Sequence, residues 1–285
     1  MSLSDRTVWI YIHVPKCGGT TTKSILAQNF GEKFREEAAL LYHKAPYTLA
    51  QAEAIIRAHH GISCFSSHRF SAHLPYEAPG IHCIAFSQVR DPVERLVSHY
   101  FFHRTHSENF FPEINNMSLV EYFDWSVVDG NAPEIANYQS WFLTGYHDER
   151  SREVIDALTR RRWLMVFPLS RFDEMLIYLQ ARFPNEFRDC RYSVKNWGRT
   201  RQKMAHSTLP ETRVQAMKEY AAHDYRLLDV AHRQLNQLLC EYVGSTEEIK
   251  RRLNQLRKSN RSLLPVMGKI RVKLRRRLIR LAHRL

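Results

Sequence analysis

Residues Trp9 to Thr22 read WIYIHVPKCGGTTT. The aromatic and β-branched residues at its start make a strand, and Lys16-Cys17-Gly18-Gly19-Thr20-Thr21 makes a glycine turn that opens a helix expected over Thr20 to Phe30. A strand, a tight turn and a helix start in succession form an anion site. Unpaired N–H groups and the positive end of the helix dipole point at one place. Gly18 and Gly19 permit positive φ and close backbone approach, Thr20 and Thr21 add hydroxyls, and Lys16 adds a mobile positive charge. A phosphate fits there. On these residues alone a plain βα turn carrying a surface lysine remains open. In a Walker A loop the lysine follows the glycines, whereas here it precedes them, which disfavours a P-loop kinase or hydrolase.

A second segment, Ile81 to Arg104 (IHCIAFSQVRDPVERLVSHYFFHR), reads as a buried strand ending at Val89, then Arg90-Asp91-Pro92, then a helix with Pro92 in its first turn. Arg90 is thereby placed at the carboxyl end of a strand, where ligands bind in open α/β sheets. Ser98, two helical turns on, can turn its hydroxyl to the same crevice. Taken in order, the two segments resemble the 5′-phosphosulfate and 3′-phosphate motifs of sulfotransferases that use 3′-phosphoadenylyl sulfate (PAPS), especially the carbohydrate 2-O-sulfotransferase-like branch. The resemblance covers roughly residues 7 to 240. It extends to Asn137-Tyr-Gln-Ser-Trp-Phe-Leu-Thr-Gly145, with Trp141 where relatives carry a basic residue, and to Arg171-Phe-Asp-Glu174.

What the resemblance implies is a P-loop-like α/β fold, a mainly parallel sheet flanked by helices. Lys16, Cys17, Gly18, Gly19, Thr20 and Thr21 would hold the 5′ end of PAPS, and Arg90 and Ser98 its 3′-phosphate. The activity implied is in-line transfer of a sulfuryl group to an acceptor hydroxyl, releasing 3′,5′-ADP, with Lys16 neutralising the leaving oxygen and no metal required. The acceptor expected from the branch is a carbohydrate or a glycolipid. A proton acceptor is needed, and His68, closing the strand-like run Cys64-Phe-Ser-Ser-His68, resembles the base of the 2-O branch, although Ser67 stands where glycine is usual. His73 and Glu94 are its rivals. His13 reads as a core residue, and His99 and His103 as facing core or solvent. Lys195, Arg199 and Arg201, with Trp197, lie in a basic loop that in relatives closes over the nucleotide. Asp224 to Asp229 is similar to a terminal family pattern and reads as packing.

Strands expected near 7–14, 61–67, 82–89 and 163–167 alternate with helical patterns, which again describes a mainly parallel sheet covered on both faces. The chain of 285 residues carries 42 Lys+Arg against 29 Asp+Glu, net +13. Fourteen of the basic residues and only two of the acidic ones fall in 245–285, so the basicity belongs to the C-terminus. This sets an expected sulfotransferase domain, 1–244, apart from a basic amphipathic helical tail, 245–285. Within the tail, Met267, Ile270, Leu274, Leu278, Leu281 and Leu285 recur at helical spacing among arginines, a pattern suited to an anionic membrane surface through 266–285. No aromatic residue is interleaved with those arginines, so nucleic acid is not the expected partner. Five widely spaced cysteines imply neither a disulfide framework nor a metal site. With no signal sequence or spanning run expected, the location read from the sequence is cytoplasmic, with peripheral contact at the inner face of the membrane. A nucleotide kinase or hydrolase, and a non-catalytic membrane-associated nucleotide-binding protein, are the alternative readings.

Overall fold

Strand β1 (Arg6–Ile12) alternates its side chains between two cores. Val8, Ile10 and Ile12 enter one with Phe65, Ala85, Leu164 and Val166, and Trp9 and Tyr11 enter the other with Cys64, Phe86, Met165 and Phe167. Both faces of the strand are therefore buried, as its near-continuous apolar sequence requires. The protein is seen in a computed structural model that describes residues 6–37, 46–71, 77–78, 80–105, 111–146, 148–158, 160, 163–193 and 209–260.

From β1 the chain enters α1 (Gly19–Phe30), the short edge strand β2 (Phe34–Glu36), α2 (Leu49–Ala58) and β3 (Cys64–Ser67). Two-residue β4 (Glu77–Ala78) leads into β5 (Ile81–Val89) and α3 (Pro92–Thr105). Helices α4 (Leu119–Phe123), α5 (Tyr138–Thr144) and α6 (Arg150–Leu158) precede β6 (Leu164–Pro168) and α7 (Phe172–Arg182). Two further helices span Glu211–Tyr220 and Ala222–Tyr242.

The strands lie in the order β2, β3, β1, β5, with β6 on the far edge of β5 at Ala85–Val89 and β4 antiparallel to it at Ile81 and His82. All pairs except β4 with β5 are parallel. After β1 the chain turns first toward β2 and β3 and later to β5 on the opposite side. The carboxyl end of β1 is thus a topological switch point, the place where open α/β sheets bind ligands. α2 and α6 cover one face with Leu227, Val230 and Ala231, and α1 and α7 cover the other. Each fully buried Val, Ile or Phe there contributes about 1.5–3 kcal/mol. A third cluster joins α3 and α4 to the helix Glu211–Tyr220 through Leu96, Tyr100, Tyr122, Phe123 and Met217.

The expected strands and the mainly parallel sheet are found, and α1 begins one residue before the expected start, at Gly19. A helix at 246–260 buries Leu256 against the α7 side, with Ile249 and Leu253 partly covered. Asn260 Oδ1 accepts from the Tyr192 N–H at 2.9 Å, and Arg257 pairs with Asp173 at 3.0 Å. The expected membrane-surface segment, 266–285, lies outside the described residues. No helix among the described residues is long and apolar enough to cross a membrane. All five cysteines are free, four of them buried.

Candidate active site

Parallel pairing of Ile12 with Ser67 on one side and with Ser87 on the other brings the ends of β3, β1 and β5 together. The glycine turn, His68 and Arg90 follow those three strand ends directly. The turn itself is strained. Lys16 sits in the left-handed region at φ +66°, which costs a non-glycine residue about 1–2 kcal/mol. Such strain persists where surrounding contacts fix it and clusters at functional sites. The fixing contacts are two arginines from the other motif. Arg95, 1 % exposed, donates Nε to the Pro15 carbonyl at 3.2 Å, and Arg90 donates Nη1 to the Lys16 carbonyl at 3.5 Å.

Gly18, at φ +86°, and Gly19 follow. A Cβ on Gly19 would lie 1.6 Å from His13 Nε2, so this position admits only glycine while that ring is in place. The N–H groups of Thr21 and Thr22 turn back to the Gly18 carbonyl, whereas those of Gly18, Gly19 and Thr20 stand at the helix start, where N–H groups have no intrahelical acceptor. Cys17 was expected among the phosphate contacts, but it faces inward. Its N–H donates to the Val14 carbonyl, its thiol donates to Gln139 Oε1 at 3.2 Å, and burial raises that thiol to about 11.

The Lys16 ammonium rests 4.2 Å over the Phe102 ring. Burial, then the nearby charges of Arg90 and Arg95, lower its pKa to about 8. Arg90 does not pair with its neighbour Asp91. It pairs with Glu94 at 3.1 Å, while Asp91 caps α3 by accepting from the Glu94 N–H at 2.9 Å. Glu94, Ser98 and Phe102 succeed one another at i, i+4 and so share one face of α3, with Arg90 at its head and Lys16 over its far end. Ser98 is buried to 7 % exposure on that helix.

His68 continues β3 beside His13. Its Nδ1 lies 2.7 Å from the His13 carbonyl oxygen, and the two rings stack at 4.0 Å. A carbonyl oxygen only accepts, so the neutral His68 ring carries its proton on Nδ1 and its lone pair on Nε2, the tautomer a base acting through Nε2 requires. Burial foremost lowers the His68 pKa below its ordinary value. His13, held well below the usual range by burial, is more than a core residue. It stacks between Tyr11 and His68 and fills the space over Gly19.

Sequence reasoning missed what holds the crevice in register. Gln139 of α5, fully buried, spends its whole amide on it. Oε1 accepts from the Arg90 N–H at 2.7 Å and from the Cys17 thiol, and Nε2 donates to the Arg90 carbonyl at 2.9 Å and to Asp224 at 3.2 Å. Asp224, read from the sequence as packing, also accepts from the Ser140 N–H at 2.7 Å, and Asn137 Oδ1 returns the favour to the His223 N–H at 2.9 Å. The start of α5 and the start of Ala222–Tyr242 thus cap each other. Burial raises the Asp224 carboxyl, and Arg95 and these hydrogen bonds pull it back. The signal lay in the motif Asn137-x-Gln139, but its partner is some 85 residues away.

Of the two orientations left open for His99 and His103, core or solvent, both take the inward one, and they converge with Glu134 so that a ligand atom of each lies within 4.8 Å of the others. Arg95 Nη2 faces His99 Nε2 at 3.0 Å. A guanidinium only donates, so the other His99 nitrogen carries the proton, and the fixed positive charge opposes a cation there. His73, Lys195, Trp197, Arg199 and Arg201 lie outside the described residues.

Among curated proteins none is a significant match. A solved sulfotransferase from Alicyclobacillus acidocaldarius is similar at 14% identity and a TM-score of 0.45, over 82% of this chain and 98% of that one. A model of the Sulfotransferase family matches residues 1–283, and the chain belongs to that family.

Proposed function

We propose that the chain transfers a sulfuryl group from PAPS to a hydroxyl of a carbohydrate or glycolipid, with His68 as base and Lys16 at the leaving oxygen. One observation carries this reading. Arg90 reaches the Lys16 carbonyl, so the two motifs belong to a single crevice. The residues fit an adenosine bisphosphate: N–H groups of Gly18 to Thr20 and the hydroxyls of Thr20 and Thr21 for one phosphate, and Arg90 and Ser98 for the other. Lys195, Arg199 and Arg201 are proposed to complete the nucleotide contacts. When bound, PAPS supplies an activated sulfuryl group whose bridging S–O bond breaks as the acceptor O–S bond forms.

The chain does three things in that step. The turn and Arg90 hold the nucleotide at both ends, which converts positioning into rate. Lys16 places positive charge where the leaving oxygen becomes negative, in a buried setting where charge acts strongly. His68 Nε2 takes the acceptor proton. The proposed setting is the cytoplasm, with 266–285 on the anionic inner face of the membrane and an acceptor presented there. Incubation with PAPS labelled in its sulfate, over a panel of glycans and glycolipids, tests the reading. Label appearing in an acceptor without added metal, and disappearing in His68→Ala, is expected. Release of label only as free sulfate, or transfer unchanged in Lys16→Ala and His68→Ala, would overturn it.

A further inference from the structure

A second charged concavity lies away from the crevice. It is a cleft of about 420 Å³ bordered by α7, the turn at 188–191 and the helix 246–260. Asn29, in the last turn of α1, anchors that turn by exchanging hydrogen bonds with the Asp189 backbone at 2.8 and 2.9 Å. The cleft therefore sits at the opposite end of α1 from Gly19, about 15 Å away at 1.5 Å per residue.

Its lining carries four arginines, Arg188, Arg191, Arg251 and Arg252, together with the buried side chains of Ile177 and Leu256. Two carboxylates face them. Asp189 pairs with Arg191 at 2.5 Å, and Glu248 is shared by Arg251 at 2.6 Å and Arg252 at 2.7 Å. Arg188 uses its Nε on the Asn185 carbonyl at 3.1 Å. Four guanidinium groups against two carboxylates leave two positive charges around one concavity. A phosphate monoester carries nearly that much negative charge at neutral pH, with three acceptor oxygens for forked donors. Pairs at a surface carboxylate such as Glu248 contribute little, so a guanidinium can be redirected from carboxylate to phosphate at small cost.

We infer that this cleft is a binding site for a phosphomonoester dianion, separate from the nucleotide crevice. The ester is either a soluble metabolite or the headgroup of a lipid. The lipid source is chemically coherent because, in sequence, the helix 246–260 that forms one wall is followed by the basic, leucine-bearing residues 261–285.

The test uses the full chain. Thermal melting is followed with glycerol 3-phosphate and with methyl sulfate, a monoanion, at matched ionic strength. Sedimentation is followed with phosphatidylcholine vesicles containing phosphatidic acid or phosphatidylglycerol at matched surface charge. Glycerol 3-phosphate is expected to stabilise the protein and methyl sulfate to do so far less. In R188Q/R252Q its affinity is expected to fall about tenfold or more. R188Q alone, which gives up one carbonyl bond, is expected to show part of that loss. In Arg90→Ala the effect is expected to persist. A preference for phosphatidic acid that is lost in R188Q/R252Q assigns the lipid source, and stabilisation by glycerol 3-phosphate without that preference assigns the soluble one. Equal effects of both anions, a response that survives in R188Q/R252Q, or one that vanishes in Arg90→Ala would overturn the inference. A response that survives in R188Q/R252Q and vanishes in Arg90→Ala leaves the nucleotide crevice as the phosphate site, which separates failure here from failure of the proposed activity.

Discussion

The guanidinium of Arg90 donates to the backbone carbonyl of Lys16 at 3.5 Å, although 74 residues separate them. The contact joins the turn after β1 to the turn after β5 and gives the site its excess of positive charge. Lys16, Arg90 and Arg95 stand close enough for both arginines to depress the lysine.

On the proposed reading, that depression makes nucleotide binding pH-dependent. Burial and the two arginines bring Lys16 from 10.5 to about 8. A base lowered on folding is neutral above its folded value, so binding an anion there must recover a proton. Affinity for 3′,5′-ADP is expected to be level below pH 8 and to fall by up to about tenfold per pH unit above it. Calorimetry in buffers of different ionisation enthalpy should record the proton uptake. Lys16→Arg, whose charge does not titrate in this range, should flatten the profile. A flat profile in the unaltered chain would contradict the assigned role. The same shift means that the free protein gains stability between pH 8 and 10.5, where only the unfolded chain still holds the proton.

His68 is held as the Nδ1–H tautomer by the His13 carbonyl, and burial lowers its pKa. His68→Ala is expected to reduce transfer about 10²- to 10⁴-fold while leaving 3′,5′-ADP binding intact. The kcat/KM profile should rise with pH through a value below 6.5 and then level off before the Lys16 limb. An acid limb at or above 6.5, or activity retained in His68→Ala, would move the base elsewhere.

Gly19 lies under His13, whose ring stacks between Tyr11 and His68. Gly19→Ala is expected to cost about 1–3 kcal/mol in denaturant unfolding because the ring cannot retreat without breaking that stack. Adding His13→Ala should restore part of the loss. Two independent, additive losses would contradict the steric account.

Asp224→Ala removes the acceptor of the Ser140 N–H and of the Gln139 amide in a fully buried place. A loss of about 2–3 kcal/mol is expected, with weaker nucleotide binding because Gln139 fixes the Arg90 backbone. Full stability with full binding in this variant would show that the α5 cap does not position the crevice.

Much of this was legible in sequence because it is local. Strand, glycine turn and helix follow one another within Trp9 to Phe30, and Pro92 marks α3 wherever the rest of the chain goes. The short strands β2 and β4 were not legible, since they have three and two residues and no periodicity of their own. The inward turn of Cys17 depends on Gln139, and the use of Gln139 depends on Asp224 in another helix. Such choices are made by tertiary contacts and leave no mark in nearby residues. The Arg90 to Glu94 pair shows a finer limit. Both carboxylates were in the motif, but capping of α3 claims Asp91 and frees Arg90 for the next turn.

The joined crevice is tested most directly by calorimetric titration of the unaltered chain and of Arg90→Ala with 3′,5′-ADP and with ADP, which lacks the 3′-phosphate. The expected result is binding of 3′,5′-ADP at least about tenfold tighter than ADP, with that preference gone in Arg90→Ala. Equal affinity for both nucleotides in the unaltered chain, or a preference that survives loss of Arg90, would contradict a single pocket gripping both ends of the nucleotide.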